Sequence, residues 1–391
     1  MEVQLVSKKL CTGCAICHDT CSKKCIKMQP YNGFLFPEID QIKCTRCGVC
    51  QDNCPALNEN AQEKNEPRQI YLAFAIDDEI KKRASSGGIA SVLMKDALLN
   101  NYYVVGAAFD NMFTLKHVVT NELAKLQSLI GSKYLQSDTR NIYYKVKELL
   151  KRSENVLFCG TPCQIAALSF LKEEERAKLI TVEFLCHGVP SPLLWEQYKS
   201  FLQKKHNGFL VDYNFRSKVK GWGAIYISIY IDRNRKKYKK FYPGYSCIWH
   251  LWLGKHFSIR ESCFNCKYRS KQRLSDITVG DFWQYKSLGY SCSDEQRKKG
   301  FSTLFVNTFK GEHLIETIHE KIYKEHINKE TYWETVKNLT ILNQHNIPVN
   351  YDIFWQDYNQ MSFDRLLRKY NFAVSPLQHY IQAIKYRIGL R

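Results

Sequence analysis

The sequence predicts a mixed α/β chain: a small cysteine-rich module, a mostly parallel-sheet α/β domain carrying a β-hairpin insertion, and a helical basic tail. Three observations lead there. Eight of the first nine cysteines fall into two copies of one spacing. From Ile70 to Lys204, short apolar runs alternate with helix-period stretches, the pattern of strands joined by crossover helices. At 225–231 the period drops to two, and a basic segment follows.

The first cysteine run is Cys11-Thr-Gly-Cys14-Ala-Ile-Cys17-His-Asp-Thr-Cys21, and the second is Cys44-Thr-Arg-Cys47-Gly-Val-Cys50-Gln-Asp-Asn-Cys54-Pro55. Both read C-x2-C-x2-C-x3-C, the spacing that ligates cubane 4Fe-4S clusters in two-cluster ferredoxins. There the fourth cysteine of each run crosses to the other cluster. The expected sets are therefore Cys11, Cys14, Cys17 and Cys54 for one cluster, and Cys21, Cys44, Cys47 and Cys50 for the other. Ser22 replaces the proline that commonly follows the fourth cysteine, and Cys25 has no place in the pattern and reads as a packed thiol. A zinc module uses four ligands, commonly two CxxC pairs, and matches two runs of four poorly.

Residues 1–57 thus form the cluster module, and the polar stretch 58–67 reads as a linker. The α/β domain is expected over 68–335. Its strand candidates are Ile70–Ile76, Tyr103–Phe109, Leu115–Thr120, Asn155–Phe158 and Leu179–Leu185. Its helix candidates are Ser86–Leu99, Thr139–Lys151, Pro162–Leu171 and Pro192–Lys204. Ile225, Ile227, Ile229 and Ile231 alternate with Tyr226, Ser228 and Tyr230, Asp232-Arg-Asn-Arg turns the chain, and Lys236 to Tyr242 returns it as a basic strand. Those lysines suit either a docking face or a solvated edge. Residues 336–391 read as a helical basic extension, with two short helices from Phe363 onward that pack on the body or touch a membrane surface.

The chain has 391 residues and a formal charge of +19, with 7 basic and 6 acidic residues among the first 60, so the excess lies downstream. Acidic redox carriers, anionic lipid or a phosphorylated substrate fit such a body. No nucleic-acid recognition module is visible. The N-terminus lacks the apolar core of a signal peptide and no run approaches a membrane span, so a reducing cytoplasm, with thiolates kept for metal, is the expected setting.

A second chemical centre is expected at two strand–helix junctions. In Cys159-Gly160-Thr161-Pro162-Cys163, Thr161 is a good N-cap and Pro162 a good first helical residue. Cys163 then lies in the first turn, where the helix dipole is expected to lower its pKa. The second junction is Cys186-His187-Gly188. With Cys263-Phe-Asn-Cys266, Cys163 and Cys186 make four thiolates, enough for a third cluster or a structural zinc. Cys159, Cys247 and Cys292 read as packed thiols. Ser85-Ser86-Gly87-Gly88 follows a basic turn and opens a helix, a setting that suits a flavin pyrophosphate or a plain capped helix. Lys133 and Tyr134 add a cation and a ring. His187 and Asp281, the latter at the end of Asp276-Ile-Thr-Val-Gly280-Asp281, are the best ionisable candidates for catalysis.

Together, Ser86-Gly87-Gly88, Lys133-Tyr134, Gly160-Thr161-Pro162-Cys163-Gln164, Cys186, Cys263-Phe-Asn-Cys266, Asp276 and Gly280-Asp281 resemble the coenzyme F420 hydrogenase/dehydrogenase beta subunit family, with a ferredoxin-like extension in front. The resemblance runs from Cys11 to about Trp283, roughly two-thirds of the chain. It implies FAD, a cubane cluster inside the α/β domain and two-electron chemistry at the flavin. Similar proteins in bacteria that lack the deazaflavin often accompany surface-polysaccharide synthesis. The implied function is an iron–sulfur flavin-dependent oxidoreductase. It would take electrons from a ferredoxin-type carrier through the clusters to FAD and an organic small-molecule substrate. The alternative is an electron-transfer adaptor feeding a separate catalytic partner.

Overall fold

The computed structural model describes residues 3–58, 64–337 and 343–371. Part of the expected linker, and the tail beyond Asn371 with its second expected helix, lie outside the described residues.

The cysteine module folds around one antiparallel pair, β1 (Ile26–Tyr31) and β2 (Phe34–Ile39), with the two cysteine runs on either side in sequence. The strands of the body are β3 (Gln69–Ala75), β4 (Tyr103–Phe109), β5 (Leu115–Thr120), β6 (Val156–Gly160), β7 (Leu179–Phe184), β8 (Phe209–Ser217), β9 (Tyr226–Arg233), β10 (Lys236–Pro243), β11 (Ile277–Asp281), β12 (Ser302–Val306) and β13 (Ile322–Ile327). Eight of these form the main sheet in the order β13-β3-β12-β11-β7-β6-β4-β5.

The centre of that sheet is parallel, with β4, β6, β7 and β11 running together, and both flanks are antiparallel. The mixture has local causes. β4 and β5 are joined by a five-residue turn at 110–114, too short for a crossover. Asp110 holds it by accepting from the amides of Met112 (2.9 Å) and Thr114 (3.0 Å). The central strands are buried on both faces. Val104 and Leu157 face the helix Ile89–Leu99, while Val105, Val156 and Phe158 face the helix Ile142–Lys151. Such strands read as near-continuous apolar runs, which is why the sequence locates them well.

The expected hairpin forms as β9–β10 around Asn234 and Arg235, both at positive φ. A third strand, β8, completes that sheet on the other side of β9. Its Asp212 and Asn214 hide it in the sequence, and two register shifts accompany them. Ile227, Ile229 and Ile231 pack with Trp195, Tyr198 and Leu202 of the helix Pro192–His206. The helices start later than expected at two places. Ser86 precedes a helix that begins at Ile89, behind Gly88 at φ +90°, and Thr139 precedes one that begins at Ile142.

The module is seated on the body by specific contacts. Phe34 packs on Trp355 at 5.4 Å. Ser191 donates its hydroxyl to the Gly33 carbonyl, which also accepts from the Leu193 amide at 3.2 Å. Asp19, its side chain 1% exposed, accepts from the amides of Asn141 (2.6 Å) and Tyr143 (3.0 Å), so it caps a helix of the body. No helix among the described residues is long and apolar enough to cross a membrane.

Candidate redox centre

Each expected cysteine quartet lines one cavity. Cys11, Cys14, Cys17 and Cys54 surround the first, walled by Leu5, Ile16 and Met28. Cys21, Cys44, Cys47 and Cys50 surround the second, which Cys25 also lines. Cys163, Cys186, Cys263 and Cys266 surround the third, at the carboxyl ends of β6 and β7. The fourth cysteine of each N-terminal run thus faces the other run's trio.

The two N-terminal loops share one backbone shape. Gly13 and Arg46 hold equivalent left-handed positions at φ +69° and +57°, as do Ala15 and Gly48 at +61° and +76°. Left-handed turns at these positions fold each C-x2-C-x2-C loop around its cavity. Gly13 meets a second demand: a Cβ there would lie 2.6 Å from Arg260 Nη1.

Arg260 is the bridge between module and body. It is 1% exposed. Its Nε donates to the Cys11 carbonyl at 2.7 Å, its Nη2 to the Leu35 carbonyl at 3.0 Å and to Cys11 Sγ at 3.7 Å, and its Nη1 to Gln136 Oε1 at 3.1 Å. Gln136 in turn donates to the Thr12 carbonyl at 3.0 Å, and Thr139 to the Cys14 carbonyl at 2.7 Å. Thr12 lines both the first and the third cavities. Thr12 therefore joins the first cavity to the third, while the second carries the exposed Cys47. Arg269 and Arg273 line the third, and a cation beside a cluster stabilises its reduced, more negative form.

The pKa expected at Cys163 is overturned. Thr161 is the N-cap, as expected, and completes a capping box with Gln164; its Oγ1 lies 3.2 Å from Cys163 Sγ. Burial nevertheless pushes the thiol well above its ordinary value, and neighbouring Cys186, Cys266 and Cys263 add to the rise. Burial likewise raises Cys14 and Cys263 to about 12 and Cys186 to about 11. A short helix dipole is outweighed by desolvation, and a metal bound to these thiols would have to displace their protons. Cys25 and Cys159 are packed as expected, with Cys25 Sγ 3.4 Å from Cys21 Sγ. Cys292 is exposed, because it lies in the surface loop between β11 and β12.

The residues expected around a flavin lie close together but are engaged within the protein. The Ser132 amide donates to Ser85 Oγ at 2.7 Å, joining the two loops. Ser86 Oγ meets Ser302 Oγ at 2.9 Å, and Lys218 donates to the carbonyls of Ser86 (2.6 Å), Lys81 (2.7 Å) and Lys299 (2.5 Å). A Cβ on Gly87 would meet Ala73 O at 2.6 Å and Ser302 N at 2.7 Å, so the loop's own packing on β3 and β12 demands that glycine. Lys133 Nζ donates to the carbonyls of Ser128, Leu129 and Ile130 at 2.8–3.2 Å, and burial pulls its pKa down to about 7. Gly160 packs on Gln164.

Tyr134 leads to a group that sequence reasoning missed. Arg216 Nη1 donates to Tyr134 Oη at 2.9 Å and to Asp281 Oδ2 at 3.0 Å, while Trp222 Nε1 donates to Asp281 Oδ1 at 3.0 Å. Trp222 stacks on Trp283 at 4.1 Å. Among the described residues, Arg216 Nη2 is buried without a hydrogen-bond partner. Asp281 thus holds an arginine and an indole, and a role in proton transfer would require it to leave them. His187 offers its carbonyl to Arg269 (2.5 Å) and His345 (2.7 Å), and burial with Arg269 nearby lowers its ring pKa. Arg216, Lys218 and Arg260 carry no motif; only the cysteine pair three residues on hints at Arg260.

Two family models match the chain. Residues 10–58 match the 4Fe-4S dicluster domain, and residues 153–331 match the C terminus of the coenzyme F420 hydrogenase/dehydrogenase beta subunit. No curated protein matches. Among solved structures, a chain of the xenon-derivatised F420-reducing NiFe hydrogenase complex from Methanosarcina barkeri is 19% identical. That match covers 75% of this chain and 94% of the other, with a TM-score of 0.46.

Proposed function

We propose that this chain is a flavin-dependent oxidoreductase with three 4Fe-4S clusters. It is an iron–sulfur electron-transfer protein that joins a dicluster domain to the C-terminal domain of the coenzyme F420 hydrogenase/dehydrogenase beta subunit family. An acidic ferredoxin-type carrier would supply the electrons and an organic molecule would take them up. The observation that carries the reading is three cysteine quartets around three cavities.

The donor sets fit clusters better than single ions. Around one zinc, with Zn–S near 2.3 Å, four thiolates would lie roughly 3.8 Å apart. Each of the three cavities is instead wide enough to be lined by four cysteines and several other residues, the all-thiolate donor set that holds a cubane. When bound, clusters supply one-electron transfer and FAD supplies the exchange between one- and two-electron chemistry. The chain's own residues do the rest. Cys163, Cys186, Cys263 and Cys266 would hold the third cluster beside Arg269 and Arg273, and the side chains of Leu185 and Val189 with the ring of Tyr268 would shield it from water. Ser86, Gly87, Gly88, Lys133 and Tyr134 would border the flavin, with Gly160, Thr161 and Pro162 between it and the cysteines. The unpartnered Arg216 Nη2 supplies a donor for a ligand acceptor there. Asp281 and His187 stand at the same strand ends.

Protein purified without oxygen should carry about twelve irons and one flavin per chain, following the cluster stoichiometry of three cubanes. Cys263→Ser should lower iron to about eight and leave the N-terminal signals in electron paramagnetic resonance unchanged. Stoichiometric zinc would overturn the third cluster, and eight irons with no flavin would leave the adaptor reading in place.

A further inference from the structure

We infer that the electron carrier docks on the cluster module itself, on the face around Cys47, and that the carrier is an acidic one-electron redox protein. The inference rests on the reading of the cysteine quartets as clusters and adds the surface and its partner's chemistry. Of the twelve thiols in the three quartets, only Cys47 is exposed, while Cys21 and Cys44 beside it are half-buried. Electron transfer weakens steeply with distance, so the outermost quartet is where an external donor can reach.

The surface around Cys47 is built for an anionic partner. Lys23, Lys24, Lys43 and Arg46 are all exposed, and Lys43 shares its charge with Asp40 at 3.5 Å. Two apolar side chains sit among them: Ile42, 97% exposed, and Val49, 39% exposed. Cations ringing exposed apolar groups match a small interface that forms quickly and releases its partner.

The backbone adds an independent observation. Arg46 holds the left-handed position that Gly13 holds in the first run, and Lys24 also has positive φ, +50°. Glycine would fill such positions without the steric cost, of order 1 kcal/mol, that other residues meet. Ala15 meets the same cost but is buried and contributes packing; Arg46 and Lys24 are exposed and contribute charge at the surface.

The basic hairpin expected to dock a partner is less well placed. Lys239 lies over Tyr230 and Phe241, and Lys240 contacts His206; none of those three residues lines a cysteine cavity. β10 is an edge strand, where lysines discourage strand pairing between molecules.

Each encounter would move one electron and no proton. The carrier's iron–sulfur centre is oxidised by one electron, and the cluster held by Cys21, Cys44, Cys47 and Cys50 is reduced by one. The full chain, reconstituted with iron and sulfide without oxygen, is mixed with a reduced acidic bacterial ferredoxin by stopped flow, and the oxidised pair is cross-linked with a carbodiimide and mapped by mass spectrometry. The wild-type rate should fall as salt rises. The quadruple variant Lys23→Glu, Lys24→Glu, Lys43→Glu, Arg46→Glu should react at least about tenfold more slowly, within the range that steering supplies. Its reduction by methyl viologen radical should be unchanged, and wild-type cross-links should fall on Lys23, Lys24 and Lys43. Should that variant lose iron, the four glutamine substitutions are read instead, with a slowing of about threefold expected. Equal rates for variant and wild type, or cross-links on Lys236 to Lys240, would overturn the surface. A chain without iron would overturn the proposed function; a chain with its iron, reduced by viologen but indifferent to the ferredoxin at every salt concentration, would overturn only the docking.

Discussion

At Cys163 two local effects oppose one another. The first helical turn favours a thiolate, burial favours a thiol, and burial wins. The same rule governs His117, enclosed between Ser137 Oγ at 2.8 Å and the Cys159 carbonyl at 3.2 Å. Burial pushes its pKa down to about 4. An unfolded histidine titrates near 6.5. Between pH 6.5 and 4 the unfolded chain therefore binds the extra proton, and stability falls as pH falls through that window, by about 3 kcal/mol at its foot. Denaturant titrations at pH 7, 6 and 5 should show this slope, and His117→Asn should make it shallower, leaving the share of His187 and His345, whose pKa values are also lowered. An unchanged slope would mean that His117 is not held neutral.

At the scale of elements, the helix Ile142–Lys151 has no side-chain cap of its own: Asn141 is left-handed at φ +65°. The module supplies the cap through Asp19, so the joint between the two parts of the chain is also a helix terminus. Asp19→Ala should cost about 1 kcal/mol, the usual value of an N-cap. Hydrogen exchange should quicken at the amides of Asn141, Tyr143 and Tyr144, which Asp19 holds. Unaltered exchange there would show that the module's seat does not depend on this contact. β8 illustrates the opposite case. Its polar Asp212 and Asn214 read as loop, yet Leu210, Tyr213 and Phe215 are drawn into the aromatic core with Trp195. Cross-strand packing, rather than local preference, decides such a strand.

At the scale of the whole molecule, the proposed electron path would begin at the second quartet, which holds the exposed Cys47. Cys47→Ala, by damaging the outermost quartet, should slow reduction by a protein carrier by at least about tenfold, the scale expected when a steered encounter is lost. Methyl viologen radical should still bleach the visible absorbance of the remaining clusters. Equal reduction of wild type and variant by the carrier would place the first contact elsewhere.

Local spacing by itself determined the two N-terminal quartets, the crossing of their fourth cysteines and the central strands, because ligand spacing and apolar runs are properties of consecutive residues. It also singled out Cys163, Cys186, Cys263 and Cys266, though their chain separations left one shared site undecided. Tertiary structure alone decided three things. It set four cysteines, from the helix that follows β6, the loop that follows β7 and the 263–266 turn, around one cavity. It placed Thr12 and Arg260 between that cavity and the first. It turned the Cys47 face outward rather than inward. The physical reason is the same in each case: which buried groups meet depends on how layers pack, and packing joins residues that are hundreds of positions apart.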